Sequence, residues 1–127
     1  MLLLIDSTKQ QLFAALVDNG KIAEQRTCDE QRAHDRNLNK LTVDLIDHAE
    51  AFGVVTGPGS WTGSRVGVVA VKAYALATGK PIIALTANES RETLAAAAWK
   101  KYIDKDFTTA RELMPFYDAE FKVTIKK

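Results

Sequence analysis

The sequence predicts a mixed α/β fold: one five-stranded sheet carrying helices, in the element order β-β-β-α-β-α-β-α. Three observations predict it. Short apolar runs open the chain, an Asn-Gly pair joins two of them, and from about His34 longer helical patterns alternate with short apolar runs. A meander followed by alternating α and β elements implies a sheet with both antiparallel and parallel neighbours.

Leu2 to Ile5 is a continuous apolar run, as expected of a strand buried on both faces. Leu12 to Val17 follows, then Asp18 to Lys21 ("DNGK"), then Ile22 to Thr27. Asn-Gly between strand-like runs is a strong hairpin signal, because both residues tolerate positive φ. From His34 to Ala49 the pattern turns helical, with Leu38, Leu41 and Leu45 on one face and Val43 and Ile46 widening the stripe. Phe52 to Thr56 reads as a strand and Ser64 to Thr78 as a helix. Gly79 stands where a helix-ending glycine belongs, and Pro81 blocks continuation. Ile82 to Leu85 is the fifth strand. Asn88 or Ser90 is placed to cap a helix running to about Tyr102. After the polar "DKDFTT", Leu113 to Tyr117 and Phe121 to Ile125 read as two further strands.

The chain has 127 residues, enough for one domain with a real core. Seventeen Lys and Arg stand against 16 Asp and Glu, a net charge of +1 that gives no global pull toward nucleic acid. Lys100 and Lys101, like Lys126 and Lys127, have acidic residues close by, so no strong basic patch is expected. Cys28 is the only cysteine, which excludes an intrachain disulfide and a cysteine zinc site. The opening "MLLLIDSTK" is too short in its apolar part for a leader, whose core needs roughly 7–15 residues. The apolar stretch after Ser64 is broken by Lys72 and falls short of the about 20 residues of a membrane span. A cytoplasmic protein is expected.

The most informative stretch is "FGVVTGPGSWTGSRVGVVAV", Phe52 to Val71. A strand, a glycine turn and a helix start bring backbone N–H groups together at the positive end of a helix dipole, which suits an anion. The spacing is neither the P-loop pattern nor the dinucleotide fingerprint, and Pro58 removes one donor. The alternative is that Gly57 and Gly59 allow a tight turn while Ser60 or Thr62 caps the helix. The candidate phosphate set is Asp6, Gly57, Gly59, Ser60, Thr62, Gly63 and Arg65. Asp6 ends the first strand, where it could order a magnesium ion or cap the adjacent "STK" turn.

No catalytic or metal-ligating set assembles. Two-metal chemistry needs several convergent carboxylates, and the Phe52–Thr56 strand carries none. His34 and His48 lie fourteen positions apart, off the spacing of a helical ligand pair. The helix from Val66 to Ala77 is apolar all round apart from Lys72, so it needs cover on two sides. Gly67, Ala70, Ala73 and Ala77 would permit close helix–helix approach. The second cover is the neighbouring first helix in a crowded α-layer, a second chain or both. A partner is favoured because an exposed patch this apolar is a liability in a monomer.

"IDST", the Asn-Gly hairpin and "GPGSWTGSRVGVVAVKAYALATGKPI" together resemble the TsaB (YeaZ) family of glycoprotease-like (Gcp-like) proteins. Gly57, Pro58, Gly59, Ser60, Trp61, Thr62, Gly63, Arg65 and Gly67 match the family's glycine block in register. The resemblance implies an RNase H-like lobe of the actin-like (ASKHA) type over residues 1–108, with residues 109–127 as a short β remnant of a second lobe opening at "MPFYDAEFKV". It also implies a role: a non-catalytic partner subunit in making N6-threonylcarbamoyladenosine on tRNA. Such a subunit forms a homodimer when alone. It binds a catalytic TsaD-like paralogue and works beside a TsaE-like ATPase. It meets tRNA through the complex and shares any ATP or ADP with magnesium at an interface. The first two helices would form that interface, through Leu38, Leu41, Leu45, Val66, Val69, Ala70, Ala73, Tyr74 and Ala77. The alternatives are a nucleotide-binding phosphotransferase fragment of the actin-like superfamily, or a degenerate TsaB that only homodimerises.

Overall fold

The computed structural model describes residues 1–29, 34–59 and 61–114, leaving out the side chains of residues 34–35 and 61–64. Among the described residues, five strands and three α-helices follow the expected order: β1 (Leu2–Asp6), β2 (Leu12–Asp18), β3 (Lys21–Cys28), α1 (His34–Thr42), β4 (Ala51–Gly57), α2 (Trp61–Thr78), β5 (Ile82–Thr86) and α3 (Arg91–Ile103). The sheet runs β3-β2-β1-β4-β5. Strands β1, β2 and β3 pair antiparallel, whereas β4 joins β1 and β5 joins β4 in parallel.

The hairpin forms where Asn-Gly requires it. Asn19 at φ +53° and Gly20 at φ +79° turn the chain in the left-handed region both residues tolerate. Two residues later the register slips, since Val17 faces Ile22 while Leu16 faces Glu24, so Ala23 is the extra residue of a bulge.

Alternation along the strands splits the core into two layers. Leu3, Ile5, Leu12, Ala14, Leu16, Phe52, Val54 and Ile82 face the side covered by α1 and α2. Leu2, Leu4, Phe13, Ala15, Val17, Ala51, Val55, Ile83 and Leu85 face α3, which contributes Leu94, Ala95 and Ala98. The double burial of β1 explains its unbroken apolar run.

The first helix is shorter than its periodicity suggests. Instead of running to Ala49, α1 stops at Thr42, and a 3-10 turn over Ile46–His48 follows. Hydrogen bonding tightens to i−3 there: Leu45 N–H donates to the Thr42 carbonyl at 2.8 Å and His48 N–H to the Leu45 carbonyl at 3.1 Å. The tighter turn sends Leu45 into the core, 3% exposed, while Val43 points to solvent, 58% exposed, and does not widen the buried stripe. Helix α2 begins at Trp61, three residues before the expected Ser64. It ends as read, with Gly79 at φ +74° donating its N–H to the Ala75 carbonyl at 2.8 Å. Of the two candidate caps of α3, Ser90 is the N-cap, and Asn88 closes the turn just before it. Ser90 Oγ accepts from Thr93 N–H at 3.1 Å, and Asn88 Oδ1 accepts from Ser90 N–H at 2.8 Å.

Thr108 makes an isolated antiparallel bridge to Ile82. Leu113 is buried in the α1/α2 layer at 1% exposure, and neither it nor Met114 belongs to a strand. The rest of the two final strands expected from the sequence, and the end of the 109–127 segment, lie outside the described residues.

Candidate partner face and glycine turn

The glycine turn follows β4. Gly57, at φ +138°, occupies backbone space that disfavours any side chain, and its carbonyl accepts from Ala87 N–H at 2.7 Å. The Gly57–Pro58 bond is cis. Asp6 ends β1, the parallel neighbour of β4, so Asp6 and Gly57 lie at the same carboxyl edge of the sheet. Asp6 is 3% exposed, and its Oδ1 accepts from Thr8 N–H at 2.9 Å and from Thr8 Oγ1 at 2.6 Å. That is an Asx-turn closing the "STK" bend, as the plainer sequence reading has it. Ser60 and the side chain of Thr62, the two proposed caps, lie outside the described residues, as do the side chains of Trp61 and Ser64. Arg65 is exposed on α2.

Gly67 has a different use from the one expected. Its N–H donates to the Ser7 Oγ at 2.8 Å, and a Cβ built there would lie 2.7 Å from that oxygen. The close approach Gly67 permits is therefore between α2 and the end of β1, and not between two helices. Ser7 is fully buried, so this contact fixes the first half of α2 over the sheet.

The nine candidate interface residues divide. Leu38 and Leu45 are buried in the chain's own core at 0% and 3% exposure, so these two side chains serve the core and present no surface to a partner. Leu41, Val66, Ala70 and Tyr74 are half-buried at the border. Val69, Ala73 and Ala77 are exposed, Val69 by 57%. The most exposed large apolar side chain among the described residues is one the candidate set omits: Leu76, 77% exposed. Val69, Ala73 and Leu76 stand at i, i+4 and i+7, a spacing that would have found Leu76 once Val68, Val71 and Ala75 were assigned to the sheet.

A polar joint holds α1 beside this face. The Tyr74 hydroxyl lies 2.7 Å from Thr42 Oγ1 and donates to Asn39 Oδ1 at 3.1 Å, while Thr42 Oγ1 also bonds the Leu38 carbonyl at 3.0 Å. From the other side, Arg26 on β3 donates to the Leu41 carbonyl at 3.1 Å and to Asp44 Oδ1 at 2.7 Å, with Glu24 beside it. The Asp44 and Glu24 carboxylates push the Arg26 guanidinium further above its ordinary value, and the Arg26 hydrogen bond holds Asp44 below the usual carboxylate range. Among the described residues, no group of three or more His, Cys, Asp or Glu side chains is placed to hold a metal ion. Nor is any helix among them long and apolar enough to cross a membrane.

The model of the family described as TsaD: tRNA N6-adenosine threonylcarbamoyltransferase matches residues 29–103, more than half of the chain. The chain belongs to this family. The TsaD-family chain is also similar to two solved structures from Pseudomonas aeruginosa. One is described as YeaZ, at 25% identity and a TM-score of 0.60, over 83% of this chain and 49% of that one. The other, an uncharacterized protein with similarity to peptidase YEAZ, matches at 26% identity and a TM-score of 0.59, over 67% of this chain and 42% of that one. The chain thus spans about half the length of the solved structures it matches. Together these likenesses make it a YeaZ-like (TsaB-like) member of the Gcp-like group, with an RNase H-like fold. No curated protein matches it.

Proposed function

We propose that this chain is an accessory, non-catalytic subunit that binds a catalytic TsaD-like paralogue in the synthesis of N6-threonylcarbamoyladenosine on tRNA. The outward face of α2 is the binding surface. One observation carries the reading: α2 buries Val68, Val71 and Ala75 on the sheet yet turns Val69, Ala73, Leu76 and Ala77 outward. Fully burying one Leu or Val stabilises an association by about 1.5–3 kcal/mol, so two such groups offer a substantial part of a specific contact. Through the same face the chain would form a homodimer when the paralogue is absent. Any ATP or ADP with magnesium would belong to the interface with the paralogue; Asp6, at the same sheet edge as Gly57, has its Oδ1 engaged by Thr8. A TsaE-like ATPase and tRNA would meet this subunit through the complex, in the cytoplasm.

Calorimetric titration of the chain into the TsaD-like paralogue of the same organism tests this. Wild type should bind and Leu76→Glu should not, because a carboxylate would be buried without a partner. Equal binding by both would refute this face as the interface.

A further inference from the structure

We propose that the outward face of α2 selects a partner protein whose apolar surface is edged by carboxylates, and that its own cationic edges oppose pairing with a second copy. The inference rests on the accessory-subunit reading and adds to it the chemistry of the partner.

The exposed strip of Val69, Ala73, Leu76 and Ala77 has cations on both sides. Lys72 stands three residues after Val69 and four before Leu76, so on the helix surface it neighbours both. Exposed Arg65 lies one turn before Val69, and α2 contains no acidic residue from Trp61 to Thr78. The other edge belongs to α1, held alongside by the bonds of the Tyr74 hydroxyl with Thr42 and Asn39. Leu38 and Thr42 are buried. Arg36, Lys40 and Val43, at i, i+4 and i+7, therefore point away from the core, and all three are exposed. Among the described residues, none of Arg36, Lys40 and Lys72 is paired with a carboxylate. The carboxylates that follow α1 leave this edge positive: Asp44 is paired with Arg26 at 2.7 Å, and Asp47 lies beyond it in the 3-10 turn.

Docking strips water from the apolar strip and brings both edges against the partner. A cation that loses water needs a counter-charge, so the face fits an apolar surface edged by Asp and Glu. A second copy supplies none. In a two-fold dimer through this face each chain presents the same patch, so the edge charges brought together are all of one sign. The exposed centre of the strip is aliphatic and offers no ring on which a base would stack, which favours a protein over RNA as the anionic partner.

The test measures binding to the TsaD-like paralogue by calorimetry and self-association by sedimentation velocity over a concentration series. Both are read at about 0.1 M and about 1 M salt, where the screening length is about 10 Å and about 3 Å. Added salt should weaken the heterodimer and tighten the homodimer. Lys40→Gln with Lys72→Gln should bind the paralogue about tenfold more weakly at the lower salt, yet self-associate more tightly than wild type. Opposite shifts separate selection from damage, since a misfolded variant would lose both associations. Lys40→Arg with Lys72→Arg keeps the charge and should match wild type in both. The proposal is overturned if the glutamine variant keeps wild-type affinity for the paralogue, or if it self-associates no more tightly than wild type. Loss of binding to a tRNA transcript with paralogue affinity unchanged would also overturn it, by assigning the edges to nucleic acid. A wild-type chain that binds no paralogue at either salt refutes the accessory-subunit reading itself, and this inference falls with it.

Discussion

Replacing Gly67 by Ala should destabilise this protein, although an exposed helical glycine replaced by alanine normally gains about 1 kcal/mol. The new Cβ would stand 2.7 Å from the Ser7 Oγ, with Val54 Cγ2 at 3.4 Å and Ile5 Cγ2 at 3.5 Å closing the other sides. Either α2 lifts from the sheet or the Ser7 hydroxyl rotates away from its 2.8 Å bond to Gly67 N–H. Overpacking of this kind costs about 1–3 kcal/mol. A buried polar group left unpaired costs about as much. Set against the helix-propensity gain, the net loss is up to about 2 kcal/mol, read as a fall of up to roughly 7 °C in Tm by thermal denaturation. Ser7→Ala removes the oxygen that clashes while keeping the fold, so it supplies the control. In that background Gly67→Ala should be neutral or stabilising, giving a coupling energy of about 1–2 kcal/mol between the sites. A higher Tm for Gly67→Ala in the wild-type background would refute the close-approach argument.

Two further predictions concern the frame around the site. Gly20→Ala should cost about 1–2 kcal/mol through its positive φ alone, because its Cβ would lie no nearer than 3.8 Å to Trp99; urea titration measures the loss, and an unchanged midpoint would contradict the left-handed turn. The hydrogen bond from Arg26 holds the folded Asp44 carboxyl below its unfolded value, so its contribution is present above the ordinary carboxylate pKa and lost as pH falls through the folded value. Asp44→Asn should therefore be less stable than wild type near neutral pH and converge with it in acid; a difference that persists at the lowest pH would contradict that sign.

Much of this fold was legible because local chemistry and tertiary structure agree. Asn19-Gly20 could only turn, Gly79 could only end a helix, and Ser90 is followed by residues whose N–H groups need an acceptor. The break at Thr42 was not legible, since Leu38, Leu41 and Leu45 continue a helical period that the i−3 bonding interrupts. The same stripe misled the reading of the partner face: periodicity marks an apolar side without saying which layer buries it. Leu38 and Leu45 went to the sheet, and Leu76 was left outside. Nor could composition foretell that Gly67 faces Ser7, because that contact joins residues 60 positions apart.

The central claim is that the outward side of α2 is a protein interface. Its most direct test is sedimentation velocity of this chain alone, mixed with the TsaD-like paralogue, and mixed again as Leu76→Glu or Val69→Glu. The account predicts a faster-sedimenting complex with wild type that is lost with either glutamate, while both variants keep the wild-type far-UV spectrum. A chain that sediments unchanged beside its paralogue, or a complex indifferent to both substitutions, would contradict it.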